Sequence, residues 1–243
     1  MIWRKSHKTA QSDPFDWAAY LEERASESTD PRLKRFYQAK WPEPDTPISD
    51  VPMVALDLET TGLDSQRDVI VSIGLVPFTL SRIHSPKARY WVVRPDKPLT
   101  TESITFHRIT HSVVANAPAL NAMFEELMQC LAGRLVVVHF KQIERHFLNA
   151  AAKQVFGDRL LFPVIDTMAI ERSRLKLERY RRWRQWLGQR RPSLRLNDCR
   201  LRYHLPQYEA HHALVDAQAT AELLQAQLSY EYSPDTPVSA LWE

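Results

Sequence analysis

The chain has 243 residues, 44% of them hydrophobic and 25% charged, so it can bury a sizeable core and does not belong to the disordered class. Its 32 Lys and Arg against 29 Asp and Glu leave a net charge of +3, which is too small to indicate a nucleic-acid or membrane partner by itself. Two cysteines without a disulfide or zinc spacing, no signal peptide and no apolar run of about 18 residues predict a soluble, cytoplasmic protein. No repeat with a period of about 20 to 50 residues is found.

Residues 1–50 are predicted to form a helical extension and a linker. Asp13-Pro14 opens a short apolar helical pattern, and four prolines between residues 42 and 52 indicate an extended linker. We expect this extension to pack on a main domain of residues 51–230, which a short tail of residues 231–243 follows.

The main domain alternates between strand and helix patterns. Five apolar segments are predicted strands: residues 53–59, 69–78, 89–95, 135–139 and 161–166. Apolar residues at spacings of three and four predict three helices: residues 119–132, residues 143–155 and a long helix from residue 214. Three strands followed by alternating helices and strands predict an α/β fold, a mixed sheet covered by helices.

Two acidic residues stand near the end of the first predicted strand, in A-L-D-L-E-T-T-G. Because successive strand side chains alternate between faces, Asp57 and Glu59 lie on the same side of the sheet. Two anions beside an apolar core are costly unless a divalent cation neutralises them, and Mg²⁺ or Mn²⁺ prefers such oxygen ligands. Alone, such a pair is more often a solvated strand end.

Two further acids and a histidine stand where the main domain changes from strand or loop to helix. Glu144 follows the valine-rich strand, near the start of a helix. Asp216 lies at the start of the last long helix, with His211 five residues earlier in the preceding loop. Taken singly, an ion pair, the helix dipole and an exposed loop histidine explain these three residues.

Taken in order, these segments resemble the three motifs of a known enzyme family. D-L-E-T-T-G-L-D, V-V-V-H-x-x-x-I-E-x-x-F-L and H-x-A-x-x-D-A are similar to the motifs of the DnaQ-like (DEDDh) 3′–5′ exonucleases, the superfamily of the bacterial polymerase III proofreading subunit. The resemblance runs from about Val51 to Leu228 and includes I-V-S-I-G, S-I-T-F-H-R-I-T and V-I-D-T. It implies an RNase H-like fold, two Mg²⁺ or Mn²⁺ ions, and hydrolysis of a nucleic-acid 3′ end to mononucleotides.

The resemblance also implies a role for individual residues. Four carboxylates fall on metal-ligand positions: Asp57, Glu59, Glu144 and Asp216. His211 falls on the general base, which accepts the proton of the attacking water, and His212 competes with it by adjacency alone. Four positions correspond to contacts with the terminal nucleotide: Thr61, Leu63, Glu102 and His107.

The second motif departs from the family pattern, which is usually His-Asn-x-x-Phe-Asp. Here His139 is followed by Phe140, and the aspartate is replaced by Glu144, whose side chain is one methylene longer. Because glutamate keeps the charge and both oxygens, we expect a working site. Nothing in the sequence compensates for the asparagine that is absent at Phe140.

One segment is strongly basic. Residues 171–202 contain 12 Lys and Arg against 3 Asp and Glu, and aromatic residues at Tyr180, Trp183 and Trp186 are interleaved with arginines. This composition is typical of a surface that neutralises phosphates and stacks bases, and equally of a solvated helix that packs through its aromatic residues.

Two classes of function are compatible with these features. The first is a metal-dependent 3′–5′ exonuclease acting on nucleic acid with a free 3′ end, with DNA favoured and RNA trimming as an alternative, and with replication or repair proteins as partners. No polymerase, helicase or zinc motif accompanies the domain, so we expect a stand-alone enzyme. The second is a catalytically weak accessory protein that binds nucleic acid. Residues 225–230, Q-A-Q-L-S-Y, resemble a sliding-clamp peptide but lie inside a predicted helix.

Overall fold

The computed structural model describes residues 15–95, 111–181, 192–209 and 211–243. Its strands are β1 (Met53–Thr60), β2 (Ile70–Phe78), β3 (Arg89–Val92), β4 (Leu135–Val138) and β5 (Val164–Asp166). They form one sheet in the order β3-β2-β1-β4-β5, in which β1 is antiparallel to β2 and parallel to β4. The predicted mixed α/β sheet is confirmed. The last strand begins later than predicted because Pro163 has no N–H to offer to the ladder.

The helices of the described residues lie before, between and after these strands. They are α1 (Trp17–Glu27), α2 (Pro31–Tyr37), α3 (His111–Ala115), α4 (Leu120–Leu131), α5 (Lys141–Phe156), α6 (Thr167–Arg181), α7 (Leu196–Arg202) and α8 (Ala213–Glu231), with short 3₁₀ helices at Ile48–Asp50, Ser85–Lys87 and Val238–Ala240. The three helices predicted for the main domain correspond to α4, α5 and α8. None of the helices in the described ranges is both long and apolar enough to cross a bilayer.

The alternation of side chains along β1 divides the core into two layers. Val54 and Leu56 belong to a cluster that includes residues of α4 and α5. Met53 and Ala55 belong to a second cluster, which includes residues of α8. Because the alternation continues along the strand, Asp57 shares the face of β1 that α8 covers.

The segments that flank the main domain belong to the same two core layers. Trp17 of α1 and Phe36 of α2 are buried in the cluster with α4 and α5. Ile48 and Val238 are fully buried in the cluster with α8. Residues 42–52 were expected to be an extended linker, but they contain a 3₁₀ helix, because burying Ile48 holds that segment against the core.

A glycine in β2 brings α8 close to the sheet. Gly74 pairs with Asp57 on one side and with Tyr90 on the other, so the three residues form one row across β1, β2 and β3. A Cβ atom on Gly74 would lie within 3.0 Å of the backbone of Ala213 and Leu214, where α8 begins. The absence of a side chain therefore allows the start of α8 to lie directly beside Asp57.

This packing predicts that Gly74→Ala destabilises the protein by about 3 kcal/mol, because the added methyl group must displace backbone atoms. Gly157→Ala is the matched control, since Gly157 has a φ of 72° but nothing within 4 Å of an added Cβ. We expect a loss of about 1 kcal/mol there, from backbone strain alone. Urea denaturation of both variants measures the difference, and equal losses would contradict the close approach of α8.

Candidate active site

Three carboxylates meet where β1 ends and α8 begins. Asp57 and Glu59 lie on β1, and Asp216 lies in the first turn of α8. One oxygen from each carboxylate lies within 4.8 Å of the others, and Glu59 is buried. Residues that are more than 150 positions apart in the sequence therefore share one anionic site, as the motif order predicted.

Burial raises the pKa of two of these carboxylates, Asp57 and Asp216. Burial, together with the charges of Asp216, Glu59 and Glu144, holds the pKa of Asp57 well above its usual range. Burial and the charge of Glu59 also raise the pKa of Asp216, although hydrogen bonds from the backbone of His211 and His212 oppose this rise. Repulsion between grouped carboxylates of this kind is relieved by a bound cation.

Glu144 lies beside this cluster rather than within it. It stands in the first turn of α5, is 4% exposed, and has a pKa raised well above its usual range by burial and then by the charge of Asp166. Its Oε2 atom is buried without a hydrogen-bond partner among the described residues. An orphaned buried carboxylate oxygen next to three clustered carboxylates fits a hard divalent cation, which prefers such ligands.

Asp166 supports the backbone at Phe140, the position at which the family usually has asparagine. Phe140 precedes α5 with a φ of 88°, a left-handed conformation that asparagine adopts far more readily than phenylalanine. The carboxylate of Asp166 accepts hydrogen bonds from the N–H groups of Phe140 at 3.0 Å and Lys141 at 3.2 Å. It also accepts one from Met168 in α6 at 2.9 Å. Asp166 thus caps two helices and holds the strained turn before Glu144, a role that V-I-D-T alone did not reveal.

The two adjacent histidines before α8 have different surroundings. His211 has a φ of 71°, an uncommon conformation for a residue with a side chain, and its N–H donates to the Asp216 carboxylate at 2.8 Å. His212 instead stacks on the ring of Tyr90, with ring centroids 4.6 Å apart. The strained turn therefore brings His211 to the acidic cluster, whereas His212 is held on β3.

The loop after β1 carries an exposed apolar side chain. Leu63 is 81% exposed at the loop tip. The hydroxyl of Thr61 donates to the Asp68 carboxylate at 3.1 Å and accepts from the N–H of Val69 at 3.0 Å, so it holds the loop in shape. Glu102 and His107, the other two expected substrate contacts, lie outside the described residues.

Comparison with known proteins identifies the family. The model of the RNase_T family, described as an exonuclease family, matches residues 54–224, which is well over half of the chain. The protein belongs to this exonuclease family. The predicted DnaQ-like membership is thereby confirmed.

Two relatives are similar in sequence to about three quarters of this chain. The PolC-type DNA polymerase III of Thermotoga maritima is 28% identical over 74% of this chain, but the chain spans only 12% of that polymerase's length. The DNA polymerase III subunit epsilon of Treponema pallidum is 26% identical over 74% of this chain and 78% of the subunit.

Solved structures confirm the RNase H-like fold. Cell-death related nuclease 4 aligns with a TM-score of 0.61 and 18% identity over 76% of this chain and 65% of its own. The nuclease domain of 3′hExo, a DEDDh family member bound to rAMP, aligns with a TM-score of 0.58 and 14% identity over 74% of this chain and 92% of its own.

Part of the basic segment of this exonuclease-family chain serves the fold. Glu171 is fully buried in α6, where its carboxylate pairs with Arg174 at 2.8 Å and with Arg202 at 2.7 Å. Arg200 is fully buried and pairs with Glu222 of α8 at 2.7 Å. Three of the twelve basic side chains thus pair with carboxylates inside the protein: Arg174 within α6, Arg202 between α7 and α6, and Arg200 between α7 and α8. Neither interpretation of the segment predicted buried ion pairs.

The aromatic residues of this segment do not belong to its described ion pairs. Trp183 and Trp186 lie outside the described residues, and the side chain of Tyr180 does so as well. Residues 225–230, which resemble a sliding-clamp peptide, lie inside a helix as predicted. They belong to α8, where Gln227 and Leu228 are buried against the protein's own core.

The raised pKa values predict that the metal-free protein loses stability as pH rises. Because the folded state holds protons on Asp57 and Glu144 more tightly than the unfolded state does, this contribution is complete below the unfolded pKa of about 4. It is lost as pH rises through the folded pKa values. Each unit of pKa elevation corresponds to about 1.4 kcal/mol. We therefore expect Asp57→Asn to melt at a higher temperature than wild type at pH 7.5 in EDTA.

Thermal denaturation between pH 5 and pH 8 measures this effect. The difference between Asp57→Asn and wild type should shrink toward pH 5 and also when Mn²⁺ is added to wild type. A variant that melts below wild type at every pH would show that Asp57 contributes stability instead of repulsion.

The strain at Phe140 predicts a difference between two small residues. Phe140→Gly and Phe140→Ala remove the same ring contacts, but only glycine adopts a positive φ without steric cost. We expect the glycine variant to be more stable by about 1 kcal/mol, as measured by urea denaturation. The reverse order would mean that residue 140 is not held in the left-handed conformation.

Proposed function

We propose that this protein is a metal-dependent 3′–5′ exonuclease that removes mononucleotides from the 3′ end of a nucleic acid, with DNA as its main substrate. One observation carries the proposal. The carboxylates of Asp57, Glu59 and Asp216 lie within 4.8 Å of one another in a chain of an exonuclease family. No arrangement of acids alone would attract an anionic phosphodiester, so the cluster implies cations.

The cation ligands we propose are Asp57, Glu59, Glu144 and Asp216. Two Mg²⁺ or Mn²⁺ ions, when bound, would neutralise the phosphate, favour ionisation of the attacking water and stabilise the leaving 3′ oxygen. The orphaned Oε2 of Glu144 and the raised pKa values of Asp57 and Asp216 support this donor set, because each indicates an uncompensated negative charge.

His211 is the general base that we propose. A neutral imidazole accepts a proton near pH 7, and the hydrogen bond from its own backbone to Asp216 holds this residue at the cluster. Burial raises the pKa of Asp216 and the charge of His211 opposes this rise, which supports placing the imidazole near that carboxylate. His212 is the weaker candidate, since its ring is stacked on Tyr90.

The terminal nucleotide is proposed to lie against the loop after β1. Leu63 matches the family position that contacts the terminal nucleotide, and its exposed side chain offers an apolar surface to the last base or sugar. Thr61 would contribute by holding the loop. Glu102 and His107 remain proposed contacts on the basis of the family motif alone.

DNA is the proposed substrate because the similar proteins by sequence are DNA polymerase III subunits. Replication or repair proteins are proposed as partners for the same reason. RNA trimming is the second candidate, since one structural neighbour, the nuclease domain of 3′hExo, is bound to rAMP. A non-catalytic accessory role is disfavoured, because loss of function would not be expected to keep three carboxylates together against their mutual repulsion.

The test is digestion of three 5′-labelled oligonucleotides of one sequence: single-stranded DNA, double-stranded DNA and RNA. We expect stepwise shortening from the 3′ end with Mg²⁺ or Mn²⁺, faster on DNA, and none in EDTA. Asp57→Asn, which keeps the fold, should be inactive. Full activity in excess EDTA would contradict the metal requirement, and faster digestion of RNA would reverse the proposed substrate.

The two histidines provide a matched pair for the base assignment. His211→Ala should lower the rate about 10²- to 10⁴-fold, the usual range for a lost general base. His212→Ala, one residue away, should keep a rate close to wild type. The opposite result would assign the base to His212.

A further inference from the structure

Two copies of one hexapeptide flank the main domain. P-D-T-P-I-S occupies residues 44–49, and P-D-T-P-V-S occupies residues 234–239. Each copy leads into a 3₁₀ helix, and each buries its branched aliphatic residue, Ile48 or Val238, completely. The copies are therefore alike in backbone conformation and burial as well as in sequence.

The two copies pair with each other with approximate two-fold symmetry. Their four backbone hydrogen bonds form two equivalent pairs. In the first pair, Ile48 N–H donates to the Thr236 carbonyl at 2.9 Å, and Val238 N–H donates to the Thr46 carbonyl at 2.9 Å. In the second, Ser49 N–H donates to the Pro234 carbonyl at 3.1 Å, and Ser239 N–H donates to the Pro44 carbonyl at 3.0 Å. Each bond donated by one copy has a counterpart donated by the other. We call this paired structure of residues 44–49 and 234–239 the clasp.

Beyond the clasp, residues 240–243 form a C-terminal flank that contacts the start of α5. Leu241 is buried, and the backbone of Glu243 pairs with Val164 along the outer edge of β5. The Glu243 carboxylate forms an ion pair with Lys141, and the Glu243 carbonyl accepts a hydrogen bond from Arg145. Both basic residues belong to the first turns of α5.

The N-terminal flank, formed by α1 and α2, also contacts the first turns of α5. The guanidinium of Arg145 lies 5.4 Å from the ring centroid of Trp17 in α1. The same guanidinium donates to the carbonyl of Phe162, and the hydroxyl of Tyr37 in α2 accepts from the N–H of Leu161 at 3.2 Å. The flank thus holds both Arg145 and the segment that leads into β5.

Lys141 and Arg145 stand on either side of Glu144, whose Oε2 atom has no hydrogen-bond partner among the described residues. Because no described residue donates a hydrogen bond to that oxygen, its position depends on the helix turn that carries it. We propose that the clasp and its two flanks act as a brace that holds the first turn of α5, through Lys141 and Arg145, so that Glu144 points at the Asp57 cluster. Arg145 is then a positioning residue.

This inference rests on the proposed function, in which Glu144 is a cation ligand. Its test is therefore the affinity of the full-length protein for Mn²⁺ without nucleic acid, measured by titration calorimetry. Arg145→Met keeps an unbranched apolar side chain beside Trp17 but loses the donors to Glu243 and Phe162. We expect its Mn²⁺ affinity to fall about tenfold, as is usual when a supporting contact of a metal ligand is lost.

Arg24→Met is the matched control. Arg24 is a buried arginine of α1, and it pairs with Asp158 in the loop after α5 instead of with the first turn of that helix. We expect this variant to lose stability on denaturation and to bind Mn²⁺ like wild type. Equal Mn²⁺ affinities for Arg145→Met and wild type would overturn the brace, as would an equal loss of affinity in both arginine variants.

The clasp itself is tested by opening and covalently closing it. Val238→Ala leaves a cavity in the clasp, and cysteines at Pro47 and Pro237, which face each other in an antiparallel bridge, allow a disulfide across it. In this triple variant we expect Mn²⁺ affinity to be about tenfold weaker than wild type when reduced and to recover when oxidised. Recovery of thermal stability without recovery of Mn²⁺ affinity would show that the clasp is only structural.

Glu144→Gln separates failure of the brace from failure of the proposed function. We expect this variant to bind Mn²⁺ about tenfold more weakly than wild type. If it binds like wild type while Asp57→Asn does not, Glu144 leaves the site and the brace is overturned, but the exonuclease proposal stands on the other three acids. A wild-type protein that neither binds Mn²⁺ nor degrades nucleic acid would overturn both.

Discussion

Mutual repulsion between three carboxylates is the constraint on which the site depends. Asp57, Glu59 and Asp216 lie within 4.8 Å of one another, and such a cluster is stable only if the surrounding fold holds it together. The two carboxylates of β1 are held by the pleat of a central strand. Asp216 is held by the start of α8, which lies against the sheet because Gly74 has no side chain there. A glycine paired with Asp57 on the neighbouring strand therefore sets how closely Asp216 approaches the acids of β1.

Glu144 is placed beside the cluster by a different part of the fold, the start of α5. Its helix begins at a strained residue, Phe140, and Asp166 accepts hydrogen bonds from the first N–H groups of that helix. One buried carboxylate thus serves as a cap instead of a ligand, although it lies close enough to raise the pKa of Glu144. Local strain of this kind is common at functional sites, where the surrounding structure has to maintain it.

Positive charge in this protein is divided between the core and the surface. Arg174, Arg200 and Arg202 belong to a basic segment whose composition suggested phosphate binding. They instead pair with Glu171 and Glu222 inside the protein, Arg174 within α6 and the other two between helices. Charge composition alone cannot distinguish these uses, because a buried ion pair and a phosphate contact draw on the same side chains. The site itself, in contrast, has an excess of negative charge, and this is why a metal-dependent reaction on an anionic substrate is consistent with it.

The sequence alone is enough to predict the strands, the long helices and the grouping of Asp57, Glu59 and Asp216. It could do so because the period of two in a strand and the periods of three and four in a helix are local properties of the backbone. The order of the motifs added the site to the fold. Three contacts became visible only in the folded chain: Asp166 supports the turn at Phe140, Gly74 allows α8 to approach the sheet, and residues 44–49 pair with residues 234–239. These contacts join positions far apart in the chain. They depend on how the helices pack on the sheet, and a local sequence pattern contains no information about that packing.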